Sequence, residues 1–144
     1  MRSRIIQRLE AGALSSVSNR SVVETFIAGG TIAVGDWVSF RTASTGTDRI
    51  LTVIEAAAVA LGNTLVCGVA LTAATVGQTV EVCVGGYAIA NCEAGVGAAG
   101  ISLIVVAAAG SAEGNVAANT GIPCGVSLGA VAAGLAPVWV YSNF

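Results

Sequence analysis

Glycine punctuation sets the grain of this sequence. Short runs rich in Val, Ile, Thr and aromatic residues recur at intervals of about ten residues, separated by turn signals such as Gly29-Gly30, Gly35-Asp36, Gly62-Asn63 and Gly114-Asn115. β-Branched side chains suit a pleated, half-buried surface, while Gly supplies the backbone freedom that tight turns need. The cadence predicts about nine strands, over residues 21–28, 36–41, 49–55, 64–71, 78–84, 87–91, 101–106, 121–128 and 138–142. Ala-rich pieces at 56–60 and 130–133 are long enough for single helical turns but not for a bundle. The expected fold class is all-β, a small β-barrel or sandwich with an extended N-terminal arm.

At 144 residues the chain has the length of one domain. We divide it into a basic arm, residues 1–20, and a single β domain, residues 21–144. The arm carries Arg2, Arg4, Arg8 and Arg20 against Glu10, with Ile5, Ile6 and Leu9 spaced as one face of a short helix. Gln7 and Arg8 interrupt the apolar stretch that a signal peptide requires. Its Arg-rich, Ser-rich and acid-poor composition is shared by mitochondrial transit peptides and by short basic arms that anchor partners.

Only 10% of residues are charged and mean hydropathy is +0.84, so much of the surface calls for a cover. Membrane spanning is not the expected cover, because the three long uncharged runs are cut every few residues by Gly, Thr, Asn or Ser. Burial against a protein partner fits better. The folded part is acidic, which argues against nucleic acid as that partner.

With no His and no Lys, the chain lacks Ser-His-Asp and Cys-His constellations, Schiff-base lysines, the P-loop lysine and every His-containing metal site. The four cysteines, at 67, 83, 92 and 124, are separated by 16, 9 and 32 positions and match neither paired zinc ligands nor a redox CxxC. They read as small reduced thiols filling apolar space, although three disulfide pairings stay open. In the run Val80 to Val84, Cys83 shares a strand face with Glu81 while the valines face the core. Gly95-Val96-Gly97-Ala98-Ala99-Gly100 is a literal GxGxxG, but the strand-like Ile101 to Val106 follows it where a dinucleotide site needs a helix. A turn between strands is the better account. Nothing in the sequence brings two of the eight carboxylates together as an acid and base pair. No catalytic, cofactor or metal residue is assigned, and no enzymatic activity is expected.

One internal similarity exceeds what composition explains. Cys67-Gly68-Val69-Ala70-Leu71-Thr72-Ala73 with Gly77 recurs as Cys124-Gly125-Val126-Ser127-Leu128-Gly129-Ala130 with Gly134, at a constant offset of 57. Two related β-turn-β units lying side by side in one barrel would account for it. Two copies are too few for a solenoid.

The ordered set of motifs resembles bacteriophage capsid cement proteins, also called head decoration proteins. It comprises Val34-Gly35-Asp36-Trp37-Val38, Gly68-Val69-Ala70-Leu71 leading to Gly77-Gln78-Thr79-Val80-Glu81-Val82, Gly85-Gly86-Tyr87-Ala88, Gly125-Val126-Ser127-Leu128 and Ala136-Pro137-Val138-Trp139-Val140. The likeness covers residues 22–142. It implies a virion protein, made in the host cytoplasm, that binds the outside of the shell and stabilises the major capsid protein lattice. It also implies a homo-oligomer there, trimer or dimer, with no active site and no cofactor. The arm is a departure from the family pattern, and we expect it to reach a neighbouring copy or a capsid subunit. Candidate interface residues are Arg2, Arg4, Ile5, Ile6, Arg8, Leu9 and Arg20 in the arm, with Trp37, Trp139 and Tyr141 on two predicted strands. The alternative is a cofactor-free β-barrel lectin or adhesin that uses Trp37, Trp139 and Tyr141 to bind glycans.

Overall fold

The computed structural model describes residues 21–46, 48–59, 63–105, 108–114, 121–142 and 144. Among the described residues nine strands form one hydrogen-bonded sheet, β1 (Ser21–Ala28), β2 (Trp37–Phe40), β3 (Thr52–Glu55), β4 (Val66–Ala70), β5 (Thr79–Asn91), β6 (Ser102–Ile104), β7 (Glu113–Gly114), β8 (Gly125–Ser127) and β9 (Leu135–Val140). The all-β expectation holds. A single helical turn, α1 (Asp48–Leu51), replaces the start of the strand predicted from residue 49. The Ala-rich segments are not helical either. Residues 56–59 are irregular, and Ala133 (φ 52°) with Gly134 (φ 79°) makes a two-residue turn across which Ala132 and Leu135 exchange backbone hydrogen bonds.

Strand order explains the internal similarity. The sheet runs β1-β3-β2-β4-β5-β9-β8-β6-β7, and β1 also pairs with β5, which closes β1, β3, β2, β4 and the first half of β5 into a five-stranded barrel. The other strands repeat the plan, since the order β3-β2-β4-β5 becomes β7-β6-β8-β9. In this second ring the latter half of β5 takes the part that β1 plays in the first. The parallel β1–β3 pairing is echoed by one parallel bridge, Cys92 to Ala112.

Individual bonds recur as well. Gly35 N donates to Ala70 O at 2.9 Å, and Gly100 N to Ser127 O at 2.7 Å; Ala74 N donates to Ile32 O, and Val131 N to Val96 O, both at 3.0 Å. The thiol of Cys67 points to Val38 O on β2, and that of Cys124 to Leu103 O on β6. The two copies of the sequence motif therefore sit at matching places in two adjoining rings, not side by side in one barrel as the sequence suggested.

The strand β5 belongs to both rings. Its first half pairs with β1 and β4, and its second half, from Gly86 to Asn91, pairs with β9. The sequence predicts a turn at Gly85-Gly86, but the strand runs through it. There the β1 register slips by one residue, and Gly86 takes φ 96°, a conformation open to Gly at little cost.

Each ring has its own core. Phe26, Val38, Val53, Val80 and Val82 fill the first, and Val96, Leu103, Val105, Cys124 and Val138 lie in the second. Cys83 does share its strand face with Glu81, yet it is buried, because the second core covers that face. The residues 95–100 form the turn before β6, with no helix behind them. Among the described residues, no helix is long and apolar enough to cross a membrane.

Candidate interaction surface

The outer face of the second ring is built by alternation along β5, β9 and β8. Inward positions on β9 are Ala136, Val138 and Val140, which leaves Leu135, Pro137 and Trp139 on the other face, with Tyr141 directly after the strand. Cross-strand register then sets rows: Val126, Trp139 and Tyr87 lie opposite one another, and Ile89 faces Pro137 in the next row. Leu135 faces Asn91 beyond them. None of these side chains is charged. Trp139 and Tyr141 retain 39% and 37% of their exposure, so both offer large rigid surface to a partner.

Trp37 is not part of this surface. It is 0% exposed, because β2 lies between the two cores: its neighbour Val38 points into the first while the Trp37 ring enters the second. There Nε1 donates to the Asn91 carbonyl at 3.1 Å, and the ring packs beside Gly125. It straps one ring to the other and has no face left for a partner or a sugar. Arg2, Arg4, Ile5, Ile6, Arg8, Leu9 and Arg20 lie outside the described residues.

Sequence reasoning missed an apolar groove at the junction of the rings. Its volume is about 330 Å³, and Ser21, Val23, Val34, Leu71, Tyr87 and Ile89 line it together with Ala70 and Ala88. The lining comes from the start of β1, the turn before β2, the end of β4 and the second half of β5, elements that only the two-ring arrangement brings together. Beside it, Asp36 holds the turn before β2. One carboxylate oxygen accepts the Ala33 amide at 2.7 Å and the other accepts Asn91 Nδ2 at 2.7 Å, so the first ring is pinned to β5.

All four cysteines are unpaired and buried. Loss of hydration on burial is the main cause that pushes the Cys67 and Cys124 thiols up to about 12 and Cys92 to about 11, from an ordinary 9.0. Burial raises Cys83 too. These groups are packing residues, poor in the thiolate that nucleophilic chemistry needs. A raised folded-state value means that the thiols contribute stability below the ordinary 9.0 and lose it as pH climbs towards about 12. The urea midpoint is accordingly expected to fall steadily above pH 9, with native thiols slow towards a disulfide reagent at pH 8. Rapid labelling of the folded protein contradicts this assignment.

No protein-family model matches the chain, and no curated protein sequence matches it. Among solved structures the chain is similar to one described as the head fiber gp8.5 N base in bacteriophage phi29. The TM-score is 0.53 with 16% sequence identity, and the match covers 84% of this chain and 94% of that one. At that identity the likeness is one of fold alone.

Proposed function

We propose that this protein is a structural component of a phage head, carried on the outside of the shell, where it binds the major capsid protein lattice as a cement protein. The observation that carries the reading is the fold shared with a protein described as a phage head fiber base. The sequence motifs that resemble cement proteins support it from an independent direction.

The uncharged face that carries Tyr87, Ile89, Pro137, Trp139 and Tyr141 supplies a surface suited to the task. Aromatic anchors at the centre of an interface carry a large share of binding energy, and repetition over a lattice multiplies a modest contact. The reading assigns the chain no catalytic step. Self-association on the shell, as trimer or dimer, belongs to the same proposal.

Co-sedimentation with undecorated shells of its own phage tests it, with expanded and unexpanded forms compared. Saturable binding to expanded shells and greater heat resistance of the decorated shells are the expected results. The double variant Trp139→Ser, Tyr141→Ser is expected to bind at least about tenfold more weakly, in keeping with loss of two aromatic anchors. Absence of binding to either shell form overturns the proposal.

A further inference from the structure

We infer that the helical turn α1 is the unzipped end of β3, and that residues 49–51 exchange between this turn and an extension of β3 that pairs along the open edge of β1. The inference stands apart from the phage-head reading, and its test contains no shell. Three observations carry it: an edge without a partner, a turn with little to hold it, and a register that fits the two together.

The edge belongs to β1. Ala28 N donates to Gln78 O and Ala28 O accepts from Gly77 N, both at 2.8 Å, so Ala28 turns its backbone groups towards β5, as do Phe26 and Glu24 by alternation. Val23, Thr25 and Ile27 therefore turn theirs the other way, towards β3. Only the end of β1 finds β3 there, with Ile27 beside Thr52 and Ala28 beside Val53. Among the described residues, no strand lies along that edge at Val23 and Thr25, and both side chains are exposed. Native folds commonly pair or cover open edges of this kind.

The turn is weakly held. α1 has four residues, far fewer than a helix needs to be stable by itself, and none of them is buried. Ile50 and Leu51 are exposed at 62% and 47%. The amides that lead into the turn make long bonds, Asp48 N to Thr45 O at 3.3 Å and Arg49 N to Gly46 O at 3.4 Å. One shorter bond, from Arg49 Nε to Ser44 O at 2.7 Å, lies exposed to water. The run from Arg49 to Glu55 meanwhile reads as one strand, because Ile50, Thr52, Val53 and Ile54 are β-branched. Local preference and the observed conformation disagree over residues 49–51.

The register fits. Continued backwards from Ile27 and Thr52, the parallel pairing sets Leu51 beside Phe26, Ile50 beside Thr25 and Arg49 beside Glu24. Phe26 and Val53 face the first core, so Leu51, two residues before Val53, would turn inward next to Phe26. Arg49 and Glu24 would share that face, where Glu24 already lines a cavity of about 100 Å³ with Phe26 and Phe40, and their opposite charges attract. Val53 O accepts from Gly29 N, so residues 51 and 49 would also present their backbone to β1. Leu51 N would donate to Thr25 O, and Thr25 N to Arg49 O. On the other side Arg41 N donates to Thr52 O at 2.9 Å, one pair beyond the end of β2, so the β2–β3 hairpin already lengthens in the same direction. Closure would satisfy the open edge and seal the seam between β1 and β3.

Relaxation-dispersion NMR on the full chain tests the inference. The amides of Thr25 and Leu51 are expected to exchange between two states on the microsecond-to-millisecond scale, with the minor-state carbon shifts of a strand at residues 49–51. Thr25→Pro removes an N–H that only the extended form uses and leaves the β1–β5 bonds in place, so it is expected to abolish the exchange without unfolding the chain. Glu24→Arg is expected to lower the minor population about fivefold, and Glu24→Arg combined with Arg49→Glu to restore it. No exchange in the unmodified chain, a minor state with coil or helical shifts, or exchange that survives Thr25→Pro overturns the inference. As a second measurement, the pair Thr25→Cys and Ile50→Cys is expected to cross-link within one chain under mild oxidation at pH 8, where the native thiols stay buried and protonated, far faster than the control pair Val23→Cys and Ile50→Cys. Equal rates, or a cross-linked chain that keeps the helical turn, overturn it too.

Discussion

Substitution of Gly68 by Ala is expected to lower stability by about 3 kcal/mol or more, a fall in melting temperature on the order of 10 °C. A Cβ at this position would lie 2.2 Å from the Cys83 carbonyl oxygen and 2.7 Å from Cγ1 of Val82. The carbonyl is backbone in the shared strand, so it cannot swing aside as a flexible side chain would. Relief requires β4 and β5 to separate where their antiparallel pairing is formed, at Val69 with Cys83 and Ala70 with Val82.

The equivalent glycine of the second ring, Gly125, grades the effect. Its Cβ would meet the Trp139 carbonyl oxygen at 2.7 Å and the Trp37 ring at 3.0 Å, a clash of the same kind but less severe. A Cβ at Gly95 would meet nothing within 4 Å, so Gly95→Ala is expected to be close to neutral. Thermal melts of the three variants should rank Gly68→Ala below Gly125→Ala below Gly95→Ala. Equal melting temperatures for the first and last would show that close approach of the strands is not why these glycines are there.

Trp37→Ala is expected to cost about 3–5 kcal/mol, the range for removing a large buried aromatic side chain. The loss falls in the second core although Trp37 stands on a strand of the first ring, so the substitution acts on both sides of the junction. Trp37→Phe keeps most of the apolar bulk and loses the indole donor. Because the Asn91 carbonyl also accepts the Ala112 amide at 3.1 Å, the expected cost of that change is smaller, about 1–2 kcal/mol. Urea unfolding followed by circular dichroism measures both. A cost below about 1 kcal/mol for Trp37→Ala would show that the ring is no strap between the cores.

Legibility in the sequence followed how many faces each strand buries. β1 occupies the residues predicted for it, since its hydrophobic run is bounded by Gly29-Gly30. β2 could not be read by alternation, because Asp36, Trp37, Val38 and Ser39 are all buried. A strand between two cores loses the period-two signal, and that is why Trp37 passed for a surface aromatic. The Gly85-Gly86 pair reads as a turn by composition; only the pairing of β5 with both β1 and β9 shows it to be a continuous strand.

The Cys-Gly-Val repeat gave a true signal of likeness between two units, but the offset could not say that they belong to different rings. At the surface, Trp139 on β9 and Tyr141 just after it are the exposed aromatics that the sequence offered as interface candidates. The junction groove was not legible, because its lining comes from four separate stretches of chain. β7, only two residues long, was missed for want of any hydrophobic run.

The sharing of β5 also dictates an order of events on the ribosome. Once residues up to about 86 have emerged, every strand of the first ring is available, and that ring can close. The remainder of β5, Tyr87 to Asn91, then waits without its partner until Leu135 to Val140 appear. Forty-four positions of synthesis separate the two, from 91 to 135. At elongation rates of about 5–20 residues per second, an open strand edge stands exposed for seconds beside a finished barrel. In a crowded polysome, the β9 of a chain further along is available to that edge, so exchange of β9 between nascent copies is the misassembly this architecture most invites.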